Sequence, residues 1–328
     1  MARSNPYRPF TPDPGQIALF PPQSGNAING VGEVTPRPPR MVYWAPDPDS
    51  IPHGPLQRYF YSQSAKEPDF APARAARQEI LDAPLPDIAA EPVTRAPQDW
   101  TAALDRFREE GLCEMTGVTE PDPAWVFEGH EVTRSRVIML AVQHDYDTIA
   151  KAPEPPAGLE VLNQYARAAL AAKTVAGWLR EQGWAAEPLT GPMTGALAMI
   201  PAAIACGFGE LGKHGSIINP ELGASFRLSA VLTDAPFAAT PPREFGIDAF
   251  CINCRICEDA CPPEALSPDK KTVRGAIKWY VDFDRCLPFF NQTHGCAICI
   301  AQCPWSRPGV GLNLAAKLDR KRQRDAAE

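Results

Sequence analysis

Eight cysteines fall between Cys251 and Cys303, and only Cys113 and Cys206 lie elsewhere in the 328 residues. They read Cys251-x2-Cys254-x2-Cys257-x3-Cys261-Pro262, then Cys286, then Cys296-x2-Cys299-x3-Cys303-Pro304. The first run has the bacterial iron–sulfur spacing, in which the fourth cysteine ligates the other cluster of a pair. On that crossing rule one 4Fe–4S cluster takes Cys251, Cys254, Cys257 and Cys303. The other takes Cys261, Cys296, Cys299 and Cys286. Nine residues separate Cys286 from Cys296, which departs from the standard motif. Either the intervening loop bulges out and Cys286 still ligates, or three cysteines hold that cluster. A disulfide framework fits poorly, because a chain of this length builds a core without bridges. Zinc sites do not use the tight x2-x2-x3 run followed by proline.

The net charge of -7, from 32 basic and 39 acidic residues, gives no reason to expect a nucleic-acid partner. The N-terminus has no charged region followed by an apolar run and no twin-arginine pair, so neither export signal is read there. The best apolar stretch, Ala196 to Phe208, is too short to span a bilayer. The expectation is a soluble cytoplasmic protein without an integral membrane segment, and labile clusters agree with reducing surroundings.

Residues 1–97 hold 19 of the 37 prolines yet also contain Tyr43, Trp44, Tyr59, Phe60, Tyr61 and Phe70. This reads as an extended arm wrapped over a core, with a short helix over 71–80. A folded core is expected over 98–245. Trp100, Leu104 and Phe107 have helical spacing, and Gly111 terminates it. Cys113 reads as a buried small hydrophobe. Val137 to Val142 is the clearest buried strand, and it runs into the polar cluster Gln143-His144-Asp145-Tyr146-Asp147. Leu159, Leu162, Tyr165, Ala169 and Trp178 mark a long amphipathic helix over 158–182. A second, Ala-rich helix is expected over 193–206, then strands at 217–218 and 227–232 joined by a turn at 219–223. Gly207, Gly209, Gly212 and Gly215 lace the turn that holds Lys213 and His214, and such glycines bring backbone amides close to a flat or anionic ligand. A proline-marked hinge at 234–246 leads into the cluster domain at 246–310. A charged helical tail at 311–328 reads as a solvated face.

Two clusters make a wire, and the upstream residues exceed what a free-standing ferredoxin needs. They imply a second redox partner. Nicotinamide lacks its Gly-x-Gly-x-x-Gly after a strand, flavin stays open, and none of the five histidines sits in the Asp-x-His-x-x-Gly motif of a histidine-ligated corrinoid.

The stretch Leu211 to Gly223, the strand ending Leu232-Thr233-Asp234, both cysteine runs and Gly295-Cys296 to Pro304-Trp305 resemble the corrinoid iron–sulfur reductases. That superfamily comprises the reductive dehalogenases and epoxyqueuosine reductases. Val137 to Tyr146 and Phe283 to Cys303 look more like the dehalogenases. The resemblance implies an α+β protein with a core like those of nitroreductases and cobalamin-processing proteins, and a C-terminal two-cluster ferredoxin-like domain. It implies base-off cobalamin, with Gly212, His214, Gly215, Ser216 and Asn219 as its contacts. It also implies a reductase that replaces carbon–halogen by carbon–hydrogen, using a low-potential donor such as ferredoxin or flavodoxin. The alternatives are an epoxyqueuosine reductase, an orphan corrinoid or flavin iron–sulfur reductase, and a non-enzymatic electron carrier. Epoxyqueuosine reductases carry an acidic residue where this helix has Gln164-Tyr165. Dehalogenases use a tyrosine proton donor beside a basic group; local resemblance assigns Tyr146 with Lys213 as helper and Tyr165 in reserve. For Tyr146 the competing reading is a surface-turn residue; for Lys213, a corrinoid or backbone contact.

Overall fold

A computed structural model describes residues 5–191 and 195–325. Its centre is an antiparallel four-stranded sheet of β1 (Met115–Thr119), β2 (Arg136–Gln143), β3 (Ala186–Leu189) and β6 (Phe226–Thr233), ordered β1-β2-β6-β3. The β2–β6 register pairs Val137 with Leu232 and Gln143 with Phe226. Val137 to Val142 are all fully buried, because both faces of the sheet are covered. Ile138, Leu140 and Val142 pack with Trp100, Phe107 and the long helix Pro155–Glu181. Val137, Met139 and Ala141 face the opposite core, with Phe208, Ile217 and the helix Met199–Ala205. Each such aliphatic side chain contributes about 1.5–3 kcal/mol by leaving water.

The long helix begins at Pro155 and ends beside Gly183, whose φ of +81° suits its C-terminus. The Ala-rich helix is shorter than expected: only Met199–Ala205 is helical, Leu197 bridges to Val126, and Met193 lies outside the described residues. The glycine-laced turn is a hairpin of β4 (Glu210–Leu211) and β5 (Ile217–Ile218). Two pieces of strand structure escaped the sequence. One is β3, whose Pro188 hides an edge strand. The other is the hairpin β7 (Lys271–Val273) with β8 (Ala276–Lys278).

The arm is more structured than an extended wrap. It contains the helices Gly54–Ser64 and Phe70–Asp82. Ile28, Tyr43 and Leu56 form a core with Leu287, and Phe20, Phe60, Phe283 and Phe290 pack against it. Buried Gln16 and Asn291 bond at 2.8 Å, and Arg8 donates to the Cys261 carbonyl at 3.0 Å. Further on, Ala89 N–H and Val93 N–H donate to the Arg180 and Gln182 carbonyls, so the arm also lines the long helix. The tail helix Val310–Asp325 lays Leu314 and Leu318 on the cluster-side core while its charged residues face water. No helix among the described residues is long and apolar enough to cross a membrane.

Candidate functional site

The cysteines gather in the crossed sets. Cys251, Cys254, Cys257 and Cys303 line one cavity with Lys213, His214 and Trp305. Cys261, Cys286, Cys296 and Cys299 lie close enough that each of Cys286, Cys296 and Cys299 is raised in pKa by others of the group. Burial pushes Cys251 up to about 11, and Cys257, Cys296 and Cys303 up to about 12. Such thiols ionise when positive charge is supplied, which is what iron does. Yet no three His, Cys, Asp or Glu among the described residues are arranged for a single ion. The nine-residue gap has a local cause. Cys286 rides on the helix Phe283–Gln292, and a left-handed turn, with φ of +54° at His294, +107° at Gly295 and +54° at Cys296, brings the chain back. Non-glycine residues pay strain for such angles, and strain of this kind collects at sites.

Core and cluster unit meet where Gly223 touches the Trp305–Ser306 backbone. A Cβ on Gly223 would stand 2.5 Å from Ser306 Cα, and φ there is +68°. Ala224 N–H donates to Ser306 Oγ at 3.1 Å. Trp305, only 2% exposed, walls the four-thiol cavity on one side. On its other side it lines an open cleft of about 620 Å³ with Gln143, His144, Tyr146, Gln164 and Gly309. That volume suits a sizeable organic ligand.

The structure separates Tyr146 from Lys213. Tyr146 begins a short helix capped by Asp145 and faces the cleft among Asp145, Asp147, Glu114 and Glu221, with no lysine there. Lys213 is 2% exposed. Its Nζ pairs with Glu258 at 2.5 Å, donates to the Cys254 carbonyl at 3.0 Å and lies 4.9 Å from the Trp279 ring centre. Lys213 thus serves the wall of the four-thiol cavity rather than a phenol in the cleft.

Tyr165 has a basic neighbour of its own. The Arg227 guanidinium, from the start of β6, lies 4.6 Å from the Tyr165 ring centre. Next to them His144 is buried, with Nδ1 against Ser225 Oγ at 2.9 Å and Nε2 unpartnered. Sequence reasoning missed Arg227, whose only signal was a cation at the start of an otherwise uncharged strand.

The glycine-turn residues divide. His214 is buried against the thiol cavity, with Nδ1 accepting from Ser216 N–H at 3.2 Å and Nε2 unpartnered. Gly212 N–H bonds the Ser216 carbonyl, closing the hairpin through Gly215 at φ +77°. Asn219, expected at a cofactor, gives its amide to the turn: Oδ1 accepts from Glu221 and Leu222 N–H, and Nδ2 donates to the Phe208 carbonyl at 2.8 Å.

His144 makes a testable contribution to stability. Burial and the Arg227 charge push its pKa down from 6.5 to about 2. Between those values the unfolded chain binds the proton and the folded chain does not. Stability is therefore full above about pH 6.5 and falls with pH, by up to about 1.4 kcal/mol per unit. His144→Gln should flatten the slope of unfolding free energy between about pH 6.5 and about pH 5. An unchanged slope would show that His144 titrates freely.

Fold and site together define an α+β protein with a cysteine-rich unit built against an open cleft. Residues 250–306 match the 4Fe-4S dicluster domain family. The chain is similar to the tetrachloroethene reductive dehalogenase of Desulfitobacterium hafniense, with 31% identity over 217 residues. The match covers 62% of this chain and 39% of that protein. It is also similar to the epoxyqueuosine reductase of Synechococcus, 26% identical over 243 residues, covering 65% of this chain and 66% of the relative. The fold is shared with a solved catabolic reductive dehalogenase at a TM-score of 0.71 and 20% identity, over 90% of this chain and 45% of that one. The chain thus spans less than half the length of these dehalogenases.

Proposed function

We propose that the chain is a corrinoid-dependent reductive dehalogenase that replaces carbon–halogen by carbon–hydrogen, with electrons delivered through two 4Fe–4S clusters. One observation carries this reading: Trp305 lines both a four-thiol cavity and a 620 Å³ cleft, and Gln164 of the long helix, the neighbour of Tyr165, lines that cleft too. Homology to the tetrachloroethene enzyme supports it. Cys251, Cys254, Cys257 and Cys303 would hold the cluster nearer the cleft; Cys261, Cys286, Cys296 and Cys299 would hold the outer one. A corrinoid bound base-off in the cleft would supply the strong two-electron reductant that such a reaction needs.

The residues account for the rest. Net reaction consumes two electrons and one proton and releases halide. Tyr165 Oη delivers the proton, and the Arg227 charge stabilises the phenolate that remains. The apolar flank of Trp305 keeps water from the thiols. His144, neutral at working pH, adds no charge. Electrons enter from a low-potential ferredoxin or flavodoxin, and the compartment is the cytoplasm.

Anaerobically purified protein should carry about eight iron and about eight acid-labile sulfides per chain, bind one cobalamin, and release halide from an organohalide when given a low-potential donor. Stoichiometric zinc would overturn the cluster assignment. Flavin binding in place of cobalamin would overturn the corrinoid. Conversion of epoxyqueuosine in tRNA without halide release would place the chain with its other relatives.

A further inference from the structure

Two guanidinium groups, of Arg227 and Arg77, stand near Tyr165, and a third, Arg74, lies by the neighbouring Tyr61, with no ion pair to a carboxylate at any of the three among the described residues. Arg227 stands over its ring, as above. Arg74 and Arg77 come from the helix Phe70–Asp82 of the arm. Arg77 Nη2 lies 2.9 Å from the point where a Cβ on Gly191 would stand, and Tyr165 Cδ1 lies 4.0 Å from the same point. The hydroxyl of Tyr61 ties the group together, since its ionisation is influenced by Arg74, Arg77 and Tyr165. Arg74 also lies 5.2 Å from the Tyr61 ring centre and donates to Ser64 Oγ, so it backs the pair rather than standing free. Several half-buried arginines elsewhere pair with acids, as in Arg37–Glu33, Arg134–Asp234 and Arg167–Glu114, while Arg274 and Arg180 donate to backbone carbonyls. Arg74, Arg77 and Arg227 have no such pair among the described residues. The Nε atoms of Arg77 and Arg227 are buried without an acceptor, and Gln164 Oε1 and Ser229 Oγ are likewise unpartnered.

A chain of net charge -7 has no surplus of cations to leave unpaired in one place. Buried donors without acceptors are costly, and a ligand that supplies the acceptors removes the cost. The planar fork of a guanidinium fits a carboxylate or phenolate oxygen, whereas a neutral haloalkene offers nothing to it.

We propose that Arg77 and Arg227, backed by Arg74, form an anion-binding subsite beside Tyr165 that takes the carboxylate of a small organic acid. The substrate is then a halogenated acid. This rests on the reading that Tyr165 faces the substrate. It also gives the arm a role in the site, since Arg74 and Arg77 belong to it.

The test is calorimetric titration of the cluster- and cobalamin-loaded protein with benzoate and with neutral benzamide, neither of which can be dehalogenated. Benzoate should bind at least about tenfold more tightly than benzamide, the share of one charge-assisted hydrogen bond. Arg77→Gln should weaken benzoate by about tenfold and leave benzamide unchanged, while Arg77→Lys recovers part of the loss. Circular dichroism and iron content confirm that the variants fold, and Arg74→Gln gives a second variant if one does not. Equal binding of the two ligands, no binding of either, or an Arg77→Gln protein with the full preference would overturn the proposal. So would chloride or inorganic phosphate alone matching benzoate in its dependence on Arg77, since the site would then hold an inorganic ion. Benzoate selectivity in a protein that releases no halide would uphold the subsite while removing the dehalogenase reading.

Discussion

Tyr165→Phe is expected to lower turnover by about a hundredfold or more, because a positioned general acid contributes roughly 10²–10⁴. Iron content and cobalamin binding should stay as they are, since only one hydroxyl is lost and the ring remains packed under Arg227. Tyr146→Phe should leave turnover near normal. Tyr146 lines a cleft with Glu114, Asp145, Asp147, Glu221 and Arg307, and no lysine stands there to serve it as a helper. Arg227→Gln should reproduce part of the Tyr165 defect. The decisive comparison is single-turnover decay of halogenated substrate by the pre-reduced protein, which removes electron delivery from the measured rate. A damaged Tyr146→Phe beside an intact Tyr165→Phe would return the proton to the residue that motif resemblance favoured. Equal rates in both would leave water or another acid as the source.

The choice between the two tyrosines shows what sequence carried and what it did not. The grouping of the thiols was readable because spacing within one run is a local property, and helix and turn geometry convert it directly into thiol positions. That Cys303 joins the cavity of the first run was expected from the same spacing rule. Burial of Val137 to Val142 and the long helix followed from runs whose periods are set by backbone geometry. The partner of a phenol is different. Arg227 reaches Tyr165 because β6 lies beside β2 and the long helix packs across the sheet. Arg77 reaches it because an arm more than eighty residues upstream folds back. Neither contact leaves a trace in local pattern. Lys213 and Tyr146 were joined on motif alone, and no spacing rule could reveal that Glu258 already held the lysine. Likewise Pro188 masked β3, since a proline argues against a strand unless its edge position is known.

Lys213→Met should therefore damage stability. The ammonium is enclosed, and its partner Glu258 is enclosed too, with side-chain exposures of 1% and 6%. Removing the lysine strands a buried carboxylate beside the thiols of Cys254 and Cys257, whose ligating form is anionic, so repulsion adds to lost pairing. Breaking such a pair costs about 3–5 kcal/mol. Arg255 offers Glu258 only partial relief, being 68% exposed and 3.7 Å away. Glu258→Gln should cost less, because the stranded ammonium keeps the Cys254 carbonyl, the Trp279 face and the negative charge of the thiolates. Lys213→Met combined with Glu258→Leu should regain most of the loss, since replacing a buried pair by apolar groups is often close to neutral. Anaerobic denaturant unfolding of the parent, Lys213→Met, Glu258→Leu and the double variant, followed by the cluster absorbance, completes the cycle, with Glu258→Gln measured beside it. Were Lys213 the helper of a phenol in the cleft, Lys213→Met would instead move the pH optimum of turnover and leave unfolding unchanged. A single replacement thus separates a charge that holds the cavity wall together from one that assists the proton.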